Sequence, residues 1–315
     1  MSQGPSLGID IGGTKTHGVL LDASGRVLAD QVRPTMKGAD GVLSTARAVV
    51  DDCLREAAVD RSQLAGVGVG VPGQVDHLTG VVRTAVNLGI DHLELGALLS
   101  ADLGVDVRVD NDVKAAARGA AQALDVQGAD LTYVNIGTGV AAATLVAGRV
   151  VRGEGNLAGE IGHVPVVPDG ERCACGQRGC LEALVGGGRI AARLALIDPP
   201  LALPTLVAQA TRGRLEAIAE LDRIAGGIAT AVQLVVLTQG SARVVLGGGV
   251  IHATPGLVDH VRRMLELRAA ESDFLASLHL PGRVVVLPSG YPVAAIGAAL
   301  VGRAGSGATR PAPVG

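Results

Sequence analysis

The chain has 315 residues, a formal net charge of -3, 48% hydrophobic but only 1% aromatic residues, 46 glycines and no tryptophan. Near-neutrality without a basic cluster leaves no electrostatic footprint for nucleic acid or an anionic membrane, and points to a small-molecule partner. A core built from Ala, Val, Leu and Ile suits parallel strands covered by helices, and the length suits two lobes with a cleft between them.

In chain order, the first 30 residues read as strand, glycine turn and strand, apolar on both sides of Gly12-Gly13, with a second turn at Ser24-Gly25. The opening MSQGPSLGID has neither a basic segment nor an apolar one before a cleavage site, so a cytoplasmic location is expected. Helical periodicity over 41–58 places Cys53 as a small buried hydrophobe. Residues 66–73 form an apolar strand ended by Pro72-Gly73, 91–103 a helix, 105–112 an alternating strand and 113–124 an Ala-rich helix. Residues 134–139 then fall on 9–14 at an offset of 125, each copy followed by an apolar strand and a glycine turn. This duplication predicts two similar α/β lobes, with a nucleotide cleft between the two turns. Further on come a cysteine loop (169–182), helices near 186–196 and 214–238, a strand (243–250), a helix (254–270), a strand (283–289) and an Ala-rich helix near 292–303. The uncharged stretches 131–148 and 224–242 are broken by glycine and polar residues and read as buried core, not membrane spans. Residues 306–315 have the composition of a disordered tail.

The turn Asp10-Ile11-Gly12-Gly13-Thr14-Lys15 has the parts of a phosphate cradle. Glycines admit anionic oxygens to backbone amides, Thr14 adds a hydroxyl, Lys15 a charge, and Asp10 a carboxylate for hydrated Mg2+. A plain hairpin turn would need none of these. The second copy, Gly137-Thr138-Gly139, favours a clamp on the β- and γ-phosphates from both sides. Gly247-Gly248-Gly249, after a strand and before a helix, suits the adenosine end. In Asp110-Asn111-Asp112, ending a strand and opening a helix, one residue is expected to act as N-cap. Asp112, at the carboxyl end of its strand, is the candidate general base, with Asn111 orienting a sugar.

His163, Cys173, Cys175 and Cys180 supply one imidazole and three thiolates, a closed tetrahedral set for structural Zn2+ rather than a disulfide. Such a metal would pin Glu160, His163 and Glu182 to one point, an acceptor-rich wall for sugar hydroxyls, with Asn87 on the opposite wall.

Taken together, DIGGTK at 10–15, VPG at 71–73, DND at 110–112, IGTG at 136–139, AGEIGH at 158–163, CACGQRGCLE at 173–182 and LGGGV at 246–250 resemble the ROK family (repressor, open reading frame, kinase) over residues 6–303. The resemblance implies a two-lobed α/β fold of the actin-like ATPase (ribonuclease H-like) type, with duplicated βββαβα lobes and an interlobe cleft. Residues 1–112 would form a small N-terminal lobe, on which the last helix (about 293–305) packs back, and 113–292 a larger lobe with the zinc loop 163–182. The resemblance also implies ATP with Mg2+ acting on a hexose or amino-hexose, in a homodimer. It makes Asp112 the catalytic base and Asn111, Glu160, His163 and Glu182 sugar ligands. His163, Cys173, Cys175 and Cys180 become the zinc ligands, His163 serving both sites through its two ring nitrogens.

Glucose to glucose 6-phosphate is the expected reaction, with N-acetylmannosamine, N-acetylglucosamine, mannose or fructose behind it, and ATP or polyphosphate as donor. A DNA-binding repressor is disfavoured, because the first strand begins near Leu7 and leaves no room for a helix-turn-helix. A non-catalytic sugar sensor is the third reading. Three departures bear on sugar identity: Gly89-Ile90 where the family's glucokinases often have Pro-Trp, Val113-Lys114-Ala115 in a segment often rich in Asn and Ala, and Val140-Ala141-Ala142 where glycines are usual.

Overall fold

The structure, a computed structural model, describes residues 4–303, so the expected tail at 306–315 lies outside the described residues. The chain divides into two compact units. The first holds the described residues up to 128, then 152–156 and those from 291; the second holds 129–151 and 157–290.

The first unit runs β1 (Ser6–Ile11), β2 (Lys15–Leu21), β3 (Val27–Pro34), α1 (Ala39–Ala57), β4 (Gly66–Val71), the small hairpin β5 (Gln74–Asp76) and β6 (Val81–Thr84), α2 (Leu95–Leu103), β7 (Val107–Asn111) and α3 (Asp112–Ala123). Its sheet has the order β3-β2-β1-β4-β7. The first three strands pair antiparallel, and β4 and β7 add in parallel.

The second unit runs β8 (Leu131–Ile136), β9 (Val140–Val146), β10 (Arg149–Val150), α4 (Leu181–Val185), α5 (Gly187–Ala195), α6 (Leu203–Thr211), α7 (Leu215–Gln239), β11 (Arg243–Gly247), α8 (Gly249–Ala253), α9 (Leu257–Ala270), α10 (Asp273–Ser277), α11 (Leu280–Arg283) and β12 (Val284–Val286). The chain then returns to the first unit as α12 (Val293–Arg303). The second sheet, β10-β9-β8-β11-β12, repeats the topology of the first strand for strand.

In β4 the alternation Gly-Val-Gly-Val-Gly-Val puts Val67, Val69 and Val71 in the core with α1 and α2. The glycine face admits α12: a Cβ on Gly68 would lie 1.8 Å from the Ala298 carbonyl oxygen. On α12 itself, a Cβ at Gly297 would lie 1.8 Å from the carbonyl oxygen of Ala115 on α3. This contact carries α3 into the first unit. The division therefore falls after Gly128, not after residue 112 as the sequence suggested.

The core of the second unit is organised around α7, whose Ile224, Ile228, Val232 and Val235 are buried. By length and composition α7 is apolar enough to cross a membrane, yet here it packs against the other helices of its unit. Arg193 on α5 joins Glu220 on α7 at 2.8 Å and donates to the carbonyls of Ala183 (3.1 Å) and Leu184 (2.7 Å), fastening the end of α4.

Several boundaries differ from expectation for local reasons. The helix expected over 91–103 starts only at Leu95, because Leu93 is drawn into a bridge with Val82. The strand expected over 243–250 ends at Gly247, where Gly248 turns at φ 93 into α8.

Candidate active site

The first phosphate-type turn lies between the paired residues Ile11 and Thr16. Gly12 N donates to Lys15 O at 2.9 Å, and the side chains of Thr14 and Lys15 are exposed. Asn87, in a helical turn over Val86–Leu88, comes beside it: a Cβ on Gly13 would meet the Asn87 Cβ at 3.4 Å. Below the turn, burial and then the negative charge of Asp112 push the Asp10 carboxyl up to about 7, against the pull of Lys15. A buried carboxyl whose proton affinity is raised by a second carboxylate beside it is a donor set that a hydrated Mg2+ fits.

Asn111 is the N-cap of α3. Its Oδ1 accepts from Val113 N (3.0 Å) and Lys114 N (3.2 Å), and its Nδ2 donates to Gly73 O (3.4 Å) in the Val71-Pro72-Gly73 loop. Asp112 opens the helix, with Oδ1 accepting from Val113 N at 2.9 Å. Asp110 turns the other way. Its side chain is 1% exposed and accepts from Arg152 through both oxygens, at 2.8 and 2.7 Å. Sequence reasoning passed over Arg152, a single basic residue in a glycine loop with no pattern around it.

In the second unit the corresponding turn is one residue shorter, 137–139 between the paired Ile136 and Val140. Gly137 N donates to Gly139 O (2.9 Å), and Gly187 N at the α4–α5 junction donates to Gly137 O (2.8 Å). A Cβ on Gly248 would lie 2.4 Å from Ile136 O, so the Gly247-Gly248-Gly249 run presses on the same strand end. These three glycine segments thus converge within the second unit.

Glu160, His163 and Glu182 gather at the start of β9. Glu182 Oε2 accepts from Val140 N at 3.0 Å, Ala142 N donates to Gly159 O at 2.8 Å, and a Cβ on Gly162 would lie 2.2 Å from Val140 O. Glu160 is exposed. The Val140-Ala141-Ala142 departure is therefore the surface on which these residues dock.

The ligand atoms of His163, Cys173, Cys175 and Cys180 all lie within 4.8 Å of one another. Cys175 and Cys180 sulfurs are 3.7 Å apart, and Cys173 Sγ is 3.8 Å from His163 Nδ1. Corners of a tetrahedron with zinc–sulfur bonds of about 2.3 Å are separated by about 3.8 Å, so the donors fit zinc. Nδ1 faces the thiols, which leaves Nε2 for a different partner. The backbone amide of Gln177 pulls the Cys175 thiol down to about 6, while burial and the other thiols push Cys180 up to about 12. A bound cation would favour the thiolate form of every sulfur in the set.

The candidate residues are thus divided: Asp10, the 12–15 turn, Asn87, Asn111 and Asp112 in the first unit, and Gly137, Thr138, Gly139, Glu160, His163, Glu182 and Gly247-Gly248-Gly249 in the second. The ROK family model matches residues 6–302. The chain belongs to the ROK family.

Among relatives of this ROK protein, a glucokinase of Halalkalibacterium halodurans is 30% identical over 84% of this chain and 86% of that protein. An N-acetylmannosamine kinase of Citrobacter koseri is 31% identical over 82% of this chain and 88% of that protein. The crystal structure of a ROK family glucokinase from Streptomyces griseus in complex with glucose and AMPPNP superimposes with a TM-score of 0.77, at 26% identity, over 96% of this chain and all of that one. The duplicated sheets of this protein have the actin-like ATPase fold of ROK sugar kinases, and the two relatives named above, each matched over more than four fifths of both chains, are sugar kinases.

Proposed function

We propose that this ROK protein is a cytoplasmic, homodimeric sugar kinase that transfers the γ-phosphate of ATP to a hexose hydroxyl, with glucose as first substrate. The observation that carries the reading is Asp112 at the junction of β7 and α3, beside Asp10 and the first glycine turn, in a chain similar to a glucokinase along most of its length.

In this reading Asp112 accepts the proton of the sugar hydroxyl as that oxygen bonds to the γ-phosphorus; the bond to the β–γ bridging oxygen breaks and ADP leaves. The amides of the first glycine turn, with Thr14 and Lys15, bind phosphate oxygens, and the turn 137–139 is a second candidate phosphate contact. Mg2+, when bound at Asp10, neutralises charge on the transferring phosphates. Asn111 offers the sugar an Nδ2 hydrogen rather than its Oδ1, which caps α3. Glu160, Glu182 and His163 Nε2 are further hydroxyl partners in this reading, and Asn87, beside the first turn, is another candidate. Zn2+ at His163, Cys173, Cys175 and Cys180 holds the loop that carries them.

N-acetylmannosamine is the second substrate reading, favoured by the kinase relative of that specificity and by Gly89-Ile90 where glucokinases often have Pro-Trp. Replacing Asp112 with Asn tests the mechanism. Turnover falls by several orders of magnitude while calorimetric sugar binding stays within a few-fold of wild type; retained turnover would remove Asp112 from the role.

A further inference from the structure

Asp112 lies between two gripped residues. Two positions before it, Asp110 is held through both oxygens by Arg152. Two positions after it, Lys114 is 3% exposed and its Nζ donates to Asn156 O at 2.9 Å. Arg152 and Asn156 are the two ends of one five-residue segment, the stretch 152–156 that returns to the first unit. The ends are also tied together, Arg152 Nη1 donating to Asn156 Oδ1 at 3.0 Å, and Asn156 Nδ2 donates to Val75 O at 3.1 Å. Asn156 sits at φ 65, a left-handed conformation that few side-chain-bearing residues adopt. Asparagine is among the few that take it readily, and Gly153 and Gly155 also sit at positive φ, so local preference and these bonds act together on the segment's shape.

Burying an Asp–Arg pair and a lysine cation costs desolvation that their attraction does little more than offset. Stability alone gives no reason to keep them. We infer that segment 152–156 is a bracket that fixes the catalytic base, with Arg152 and Lys114 as positioning residues for phosphoryl transfer.

The path from bracket to base is short. Asp110 Oδ1 accepts from Asn111 N at 2.9 Å, setting the last peptide of β7, and Asn111 Oδ1 caps the first turn of α3 on the amides of Val113 and Lys114. Asp112 is the residue between these fixed points. The bracket ties its backbone on the strand side through Asp110 and on the helix side through Lys114. Lys114 also falls in the segment where this chain departs from the family's Asn- and Ala-rich pattern, so this half of the bracket is not a general trait of that pattern.

The inference rests on the proposed role of Asp112, and the variants separate the two. Lys114→Met keeps the aliphatic stem and removes the charge and hydrogen bond; Arg152→Lys keeps the charge and removes the two-pronged grip. The double variant Asp110→Asn, Arg152→Gln removes the pair without leaving a buried charge, which guards against a failure to fold. Each is assayed for kcat and sugar KM per folded molecule, beside its urea midpoint.

A base displaced by about 1 Å costs on the order of 100-fold, so kcat is expected to fall about 10- to 100-fold with sugar KM unchanged within about twofold. Arg268→Met, which removes another half-buried guanidinium bonded to Gly226 O and Thr230 Oγ1, is expected to lower the urea midpoint and leave kcat at the wild-type value. Wild-type kcat in Lys114→Met and Arg152→Lys, or an equal loss in Arg268→Met, overturns the bracket. If Asp112→Asn is inactive while the bracket variants keep full kcat, the bracket alone falls; if Asp112→Asn turns over normally, the base assignment falls.

Discussion

Asp10 shows how a proposed site residue can work against the fold that carries it. Its carboxyl moves from an ordinary value of 3.8 to about 7, chiefly through burial and then through Asp112. A carboxyl raised in the folded state contributes stability that is fully present below 3.8 and is lost as pH rises through 7. Asp10→Asn cannot ionise, so the ligand-free variant should gain on the wild type between pH 4 and 7 and stay ahead above it. Three pKa units correspond to about 4 kcal/mol, and because Asp10 keeps some solvent contact we expect about 1–3 kcal/mol at pH 8. Urea unfolding at pH 4.5 and 8 checks this; an equal difference at both values would show that Asp10 is not strained. At this scale the sequence pointed through residue type to Asp10, Asp112 and Glu182 as proposed site residues, and to His163, Cys173, Cys175 and Cys180, whose ligand atoms the structure gathers within 4.8 Å of one another. Arg152 carries no such pattern, because its meaning lies in a contact with Asp110 across 42 positions.

Among the elements, α12 is the most exacting. Backbone meets backbone where Gly297 faces Ala115 and Gly68 faces Ala298, leaving no space for a methyl group. Gly297→Ala should therefore destabilise by about 1–3 kcal/mol or more, read as a lower urea midpoint at unchanged slope. An unchanged midpoint would mean that this packing is looser than the distances imply. The long helices and the core strands were legible from periodicity, since α1, α3, α7 and β4 bury one face or all of themselves. The β5–β6 hairpin and the short helices α4, α8, α10 and α11 were not, because three to five residues carry too little pattern and are set by their neighbours. Helix α6 also escaped, among loop-like residues in which a single side chain, Leu206, is buried.

For the whole molecule, the offset of 125 between two glycine turns announced a duplication that the two sheets bear out strand for strand. The division of the chain was less visible, because it depends on α12 returning from the far end of the sequence to α3 and on segment 152–156 crossing into the first unit. Sugar identity was not legible for a related reason: in the proposed reading it depends on how side chains such as Glu160 and Glu182 are set, and neighbouring epimers differ by a few kcal/mol at most.

The central claim is tested by incubating the folded protein, carrying one zinc per chain by elemental analysis, with ATP and Mg2+ across a panel of hexoses and N-acetylhexosamines, and following ADP release. We predict turnover with glucose foremost and its disappearance in Asp112→Asn. Silence with every sugar in zinc-loaded, folded protein would contradict the assignment as a sugar kinase.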